Sequence, residues 1–290
     1  MTIFFSLTAC NSSDSETTAT QAVGVKAVYS TNYASAILKN DGTVELSGHK
    51  AFGGYIASDV LDNVETIAST WASFAALKGD GTVVTWGSAD TGGDSTNVVL
   101  ENILCIYSIG GAFAALKGDG TVVTWGSEDF NNASSDINLE NVESIYFTGS
   151  AFAALKNDGT VVTWGNQDFG GDSSSVILEK VESIFASDYA FSAIMDDGSV
   201  QVWGAVSDYY WYGDSDVAMF NKIESVDVIN VDKVYTNSTS FAGIKEDGSV
   251  VTWGNKNTGG DSSGLSLENV EKIYSTDNAF AALKKKMVLL

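Results

Sequence analysis

The chain has 290 residues, 44% of them hydrophobic and 18% charged, so it can bury a sizeable core and is not a disordered polyanion. Its 37 acidic side chains face 15 basic ones, for a net charge of −22, and every base is lysine. Such a surface, without guanidinium forks for phosphate or guanine, repels nucleic acid and anionic membranes, and the expected partners exclude both.

The chain opens "MTIFFSLTACNSSDSETTATQ". Residues 3–9 read as the end of a signal-peptide apolar region. "LTAC" at Leu7–Cys10 resembles the bacterial lipobox, in which cleavage before the cysteine leaves a thiol that carries lipid. The polar run that follows has little to bury and reads as a flexible tether. Residues 1–9 are therefore expected to be a signal remnant, 10–23 a tether and 24–290 the folded part. A bacterial envelope location follows, lipid-anchored at the outer membrane or cell surface, or else secreted; the bland alternative is a disordered start with a chance cysteine. No later apolar run is long enough to span a bilayer.

From residue 24 the chain repeats. Asp-Gly pairs fall at Asp41-Gly42, Asp80-Gly81, Asp119-Gly120, Asp158-Gly159, Asp197-Gly198 and Asp247-Gly248, spaced by 39 four times and then by 50. A period near 40 with β-type composition predicts propeller blades. One unit runs "NVESIYFTGSAFAALKNDGTVVTWGNQDFGGDSSSVILE" from Asn141. It divides into an alternating strand "VESIYFT", an apolar strand "AFAALK", an Asp-Gly turn of the tight primed type, and a β-branched strand "TVVTW". A glycine-rich loop and a short fourth strand "SVILE" complete it. The turns lack the spaced oxygens and closing glutamate of a calcium loop, and no lysine follows "GGDSS" at phosphate-loop spacing, so no metal or cofactor is expected.

Single positions stand out along the way. His49, the sole histidine, lies in the polar loop "LSGHKAFGG" and reads as a solvated side chain. Trp71, in "STWASF", is a candidate contact residue. Cys105 replaces the serine of sibling units at Ser144 and Ser183, and reads as a buried inert thiol. Trp86, Trp125, Trp164, Trp203 and Trp253 form one column, expected to pack between blades, whereas the first unit has Ser47 there.

The loop "AVSDYYWYGDSD" after Gly204 deviates most, gathering Tyr209, Tyr210, Trp211 and Tyr212 among Asp208, Asp214 and Asp216. Tyrosine and tryptophan give large contact areas at low entropic cost. The loop is either a binding site or an aromatic plug. Phe52, Phe130 and Phe169 in sibling loops suggest a ring of aromatics on one face. An insertion of about eleven residues near "VDVINVDKVYTN" lengthens the last spacing and reads as strand-like. The terminal "AFAALKKKMVLL" reads as the start of a seventh blade, with two strands and no third or fourth. A one-base slip in the lysine-coding run would convert Asn-Gly-Thr-Val into Met287–Leu290.

The pattern "AALKxDGTVVTWG…GG" resembles the repeat of the regulator of chromosome condensation family, in its short bacterial form, over about residues 24–284. The resemblance implies an all-β, seven-bladed β-propeller of ~39-residue repeats with the last blade incomplete: six full repeats plus half a seventh. The family includes a chromatin-bound nucleotide exchange factor and a secreted inhibitor of β-lactamase. Neither role transfers, because only repeat positions match here. No catalytic constellation is visible. The expected function is a tethered scaffold for a protein or carbohydrate ligand, with a ligand-free spacer, or a carboxylate-based lyase or hydrolase, as alternatives.

Overall fold

A computed structural model describes residues 24–56, 60–128, 130, 137–207, 220–222 and 229–285. They fall into two compact units, residues 1–127 and 128–290. The described residues form seven small antiparallel sheets. The first unit holds sheet 1, β1 (Val25–Ser30), β2 (Ala34–Lys39) and β3 (Val44–Gly48). Sheet 2 is β4 (Val64–Ser69), β5 (Ser73–Lys78) and β6 (Val83–Gly87); sheet 3 is β7 (Ile103–Ile109), β8 (Ala112–Lys117) and β9 (Val122–Gly126). The second unit holds sheet 4, β10 (Val142–Phe147), β11 (Ala151–Lys156) and β12 (Val161–Gly165), and sheet 5, β13 (Val181–Ala186), β14 (Ala190–Met195), β15 (Val200–Ser207) and β16 (Phe220–Lys222). Sheet 6 is β17 (Val231–Thr236), β18 (Ser240–Lys245) and β19 (Val250–Gly254), and sheet 7 is β20 (Val270–Thr276) with β21 (Ala279–Lys284).

In sheets 2 to 6 the middle strand is buried on both faces because sheets stack on sheets, whereas β2 of sheet 1 alternates buried and half-buried residues. Ala75 and Leu77 of β5 lie in one cluster with Ile103, Phe113, Ala115 and Trp125 of sheet 3. Ala151, Ala153 and Leu155 of β11 meet Val181, Ile184, Phe191 and Trp203 of sheet 5 in the same way. Small residues on one face thus receive the aromatic face of the next sheet. The aromatics come as cross-strand pairs. Phe74 faces Trp86, and likewise Phe113 Trp125, Phe152 Trp164, Phe191 Trp203 and Phe241 Trp253, with stacked rings 5.0–5.7 Å apart. Such a pair adds about 0.5–1.5 kcal/mol beyond the area it buries. The tryptophan column therefore packs between sheets, as expected. In sheet 1 the same register pairs Ser35 with Ser47, so that face carries hydroxyls in place of rings.

The tryptophans also fix the loop before them. Indole Nε1–H of Trp86, Trp125 and Trp203 donates to the carbonyls of Gly53, Gly92 and Gly170 at 3.0, 3.1 and 3.1 Å. These glycines have positive φ, and a Cβ on Gly92 would stand 2.6 Å from the Phe113 ring, so no other residue fits.

Four expectations change. The Asp-Gly turns are not primed turns. Only the glycine has positive φ (Gly42, +80°), its N–H donates to Lys39 three residues back, and Asp41 keeps an ordinary φ. This is a type I turn closed by a left-handed glycine. Asp41 Oδ1 accepts from the Thr43 N–H and hydroxyl at 3.0 and 2.6 Å, a use of the carboxylate that a primed turn would not make. The segment "SVILE" forms no strand: a turn at 174–176, with Val176 N–H donating to Ser173 O, precedes residues without regular structure, and Leu178 plugs the core between sheets 4 and 5. A short apolar run served a plug and not a ladder. The segment Val231–Thr236 is no insertion but the regular first strand of sheet 6, paired with β18. The extra residues all lie earlier, because Trp203 to Val231 spans 28 positions where Trp164 to Val181 spans 17. Cys105 does sit in a strand, but it is half-buried and disulfide-bonded rather than a buried thiol, since β7 is covered less completely than β8.

Candidate functional site

Adjacent sheets are tied at both ends through backbone atoms. At the hairpin end, Val64 N–H donates to Gly42, Ile103 to Gly81, Val181 to Gly159 and Val270 to Gly248, at 2.8–2.9 Å. The residue before each donor is left-handed, at Asn63, Asn102, Lys180 and Asn269. The opposite end carries a belt made of one residue per sheet, in the loop between first and second strands. In the first unit, Asn32 N–H donates to Trp71 O at 2.9 Å and Trp71 N–H to Gly110 O at 2.8 Å. In the second, Gly149 donates to Asp188, Asp188 to Ser238 and Ser238 to Asp277, at 2.8, 3.0 and 3.3 Å. The glycine-rich loops after each third strand lie at this same end, because those strands run back toward it. Trp71 in the first unit, and Phe130 and Phe169 in the second, therefore lie at the belt end of their own sheets.

In the first unit the belt end presents aromatics to solvent on a fixed backbone. Trp71 is 59% exposed and lies against Gly110, where a Cβ would come within 2.7 Å of the indole. Tyr33, in the neighbouring loop that Asn32 ties to Trp71, is 64% exposed. Its ring packs on Phe52 at 4.8 Å, and Phe52 on His49 at 5.1 Å. His49 is exposed, as expected, and it also acts locally. Its Nδ1 accepts from Ala51 N–H and caps the one-turn helix that carries Phe52. Thr31 anchors the loop from beneath, its hydroxyl donating to Phe52 O at 3.0 Å.

The second unit is built with the same parts but differs in chemistry. Thr148 Oγ1 donates to Phe169 O at 3.0 Å, and Phe169 packs on Tyr189 at 5.1 Å. Phe169 and Phe130 are both half-buried. Phe130 lies against Gly165, whose Cβ would stand 3.2 Å from its ring. Of the candidate aromatics, Trp71 is thus exposed, as is Tyr33, whereas Phe130 and Phe169 are half-buried. Beside them Asp188 is partly buried. Desolvation raises its pKa, opposed by a hydrogen bond to Ser238, and the nearby Asp277 charge raises it further. Asp208, Tyr209, Tyr210, Trp211, Tyr212 and Asp214 lie outside the described residues, as does Cys10.

Sequence reading missed Tyr33. The signal was available: in the column after the belt position, aromatics stand at Tyr33 and Tyr189, while the other units carry small or polar residues there. The arrangement offers hydrophobic contact area with a polar rim, which suits binding. Among the described residues no group of three or more metal-ligating side chains converges. The depressions at the hairpin end, such as one of about 520 Å³ beside Ile177, Lys180 and Met195, lie away from the belt.

No family model matches the chain, and no curated protein matches it. Solved structures do. The ectodomain of the Physcomitrella patens receptor kinase CR4 is similar at 15% identity over 81% of this chain, with a TM-score of 0.47; this chain spans 62% of that ectodomain. Prp20p from Saccharomyces cerevisiae, also described as yeast RCC1, is similar at 15% identity over 89% of this chain and 76% of its own, with a TM-score of 0.46. Human WBSCR16 is similar at 13% identity, over 92% of this chain and 88% of its own, with a TM-score of 0.46. The repeated small sheets agree with an RCC1-like propeller. The likeness is one of fold alone.

Proposed function

We propose that this chain is a propeller-type scaffold that binds a protein partner through the belt end of its sheets. The observation that carries the reading is Trp71 beside Tyr33: two large exposed aromatics on adjacent loops that a backbone hydrogen bond from Asn32 to Trp71 ties together, with the Tyr33 ring further packed on Phe52. Preorganised aromatics of this kind lose little entropy on binding. The acidic surface favours a cationic partner and predicts binding that weakens with salt. Asp208, Tyr209, Tyr210, Trp211, Tyr212 and Asp214 follow Gly204 in sequence as the sibling loops follow their own glycines, and we propose them as further binding residues; a carbohydrate ligand would use the same aromatics.

The test is capture of partners on the immobilised chain at low and moderate salt, followed by titration of a captured partner against Tyr33→Ala/Trp71→Ala. A loss of affinity of about tenfold or more supports the reading. Unchanged affinity overturns the assignment of this surface, and an empty capture favours a ligand-free spacer.

The location we propose is the bacterial envelope, lipid-anchored on Cys10, or the secreted state; the disulfide-bonded Cys105 favours the secreted form, since disulfides persist in oxidising compartments. The chain has two cysteines, so a lipid thioether on Cys10 excludes a disulfide from it to Cys105. Intact mass of the native protein, with and without reductant, decides: a diacylglyceryl increment supports the anchor, and a reductant-dependent gain of two hydrogens refutes it.

A further inference from the structure

The hairpin end of sheet 5 differs from its siblings at one place. The pairing that sets the last residue of each middle strand opposite the first residue of its first strand puts Lys39, Lys78, Lys117, Lys156, Lys245 and Lys284 in one column. In sheet 5 the same register holds Met195, opposite Val181. Three of the lysines show what the column does. Lys156 Nζ donates to Asn138 O at 3.2 Å, Lys284 Nζ to Ser266 O at 2.6 Å, and Lys78 Nζ to the Asp62 carboxylate. Each ammonium thus ties the hairpin to the loop that leads into its own sheet. Asn138 and Ser266 stand three residues before the left-handed Asn141 and Asn269; the matching residue in sheet 5 is Ile177, three before the left-handed Lys180. Methionine has no proton to donate, Met195 is buried in the core, and among the described residues no donor reaches the Ile177 carbonyl.

What lies at this place is the depression of about 520 Å³, lined by Ile177, Glu179, Lys180, Met195, Asp196 and Asp197 among others. Met195 and Ile177, the latter 74% exposed, give it an apolar side. The three carboxylates face one lysine. Lys180 Nζ lies 3.4 Å from Asp196, and Asp197 accepts from Ser199 N–H at 2.9 Å, whereas Glu179 forms no ion pair among the described residues. An apolar side, an open carbonyl and an unspent carboxylate together match an unbranched alkyl chain that ends in an ammonium.

We propose that this depression binds a lysine side chain of a protein partner, supplied from outside at the place where the sibling sheets supply their own. The stem covers Ile177 and Met195, and the ammonium donates to the Ile177 carbonyl and to Glu179. Lysine is the occupant because the repeat already seats an ammonium on this carbonyl in sheets 4 and 7. The site belongs to the hairpin end of sheet 5 and shares no residue with the belt-end aromatics.

The test is a titration of the isotope-labelled full chain with acetyl-Gly-Lys-Gly-amide, followed by amide chemical shifts. Saturable shifts are expected at Glu179, Asp196 and Gln201, which line the depression. The norleucine peptide, with the same stem and no ammonium, should bind about tenfold more weakly or worse. Met195→Lys installs the sibling lysine and should fill the site, abolishing the shifts in a chain whose other amides stay in place. Glu179→Gln, at an exposed position that the fold does not depend on, should weaken binding about two- to fivefold. Equal binding of the two peptides, shifts spread over the acidic surface at large, or indifference to both substitutions overturns the proposal. So does tighter binding of free cadaverine than of the lysine peptide, which would give the site to a small diamine.

Discussion

The hexapeptide Ala-Phe-Ala-Ala-Leu-Lys occurs three times, as β8, β11 and β21, and folds to a strand each time. In β8 and β11 its first five residues are buried; in β21 five of the six are exposed. Local propensity and pairing with the preceding strand are common to all three, so neither buries the segment. Burial comes from the next sheet's aromatic pair on one face and from the third strand along the edge. The unit of stability here is the interface between sheets, as in other repeat architectures.

The comparison can be broken most sharply by a charge. Ala114→Glu in β8 places a carboxylate in a fully enclosed site and should destabilise by about 3–5 kcal/mol or abolish folding. Ala281→Glu, the same substitution in the same hexapeptide of β21, should stay within about 0.5 kcal/mol by denaturant unfolding. Next, Phe113→Ala should cost about 3–5 kcal/mol, whereas Phe280→Ala, on a ring with no tryptophan opposite, should cost about 1 kcal/mol or less. Equal losses would mean that β21 is covered after all.

Acid sharpens a second contrast, between the hairpin end and the belt. Asp158 and its counterparts are held below the ordinary 3.8, first by the hydroxyl and then by the backbone N–H of the residue two further on. What they contribute is present above the ordinary value and fades as pH falls through the lowered one. Asp188 has the opposite sign. Its pKa is raised by desolvation, so its ionised form opposes folding above that value and the penalty fades as pH drops. Asp188→Asn should therefore stabilise at neutral pH, with the gain shrinking on acidification, while Asp158→Asn should destabilise at neutral pH; thermal melts from pH 7 to 3 check both signs. The smallest effect concerns Lys180, at φ +59° where five counterparts are asparagine. Lys180→Asn should raise stability by roughly 0.5–1 kcal/mol, read as a shift in the melting midpoint.

Much of this architecture was legible because it recurs every 39 residues. The tryptophan column and the departure at Ser47 follow from periodicity, which separates packing positions from variable ones. The belt was not legible, because it is made of backbone N–H and C=O groups, with Asn, Trp, Gly, Asp and Ser all serving. The fourth strand failed because "SVILE" has strand composition, yet Leu178 is spent as a plug. At the belt end, Trp71 stood out in sequence as a large aromatic in a loop, and it is exposed there. Phe130 and Phe169 proved half-buried; beneath Phe169 the Thr148 hydroxyl holds the loop carbonyl, a side-chain-to-backbone tie that the aromatic's own position in sequence does not reveal.

Native-state hydrogen exchange tests the central claim most directly, since the three identical segments share nearly the same intrinsic rates. The account predicts strong protection across Phe113–Lys117 and Phe152–Lys156, and exchange close to the unprotected rate at Phe280, Ala282 and Lys284. Protection of Phe280, Ala282 and Lys284 equal to that of β8 in the chain alone would contradict it.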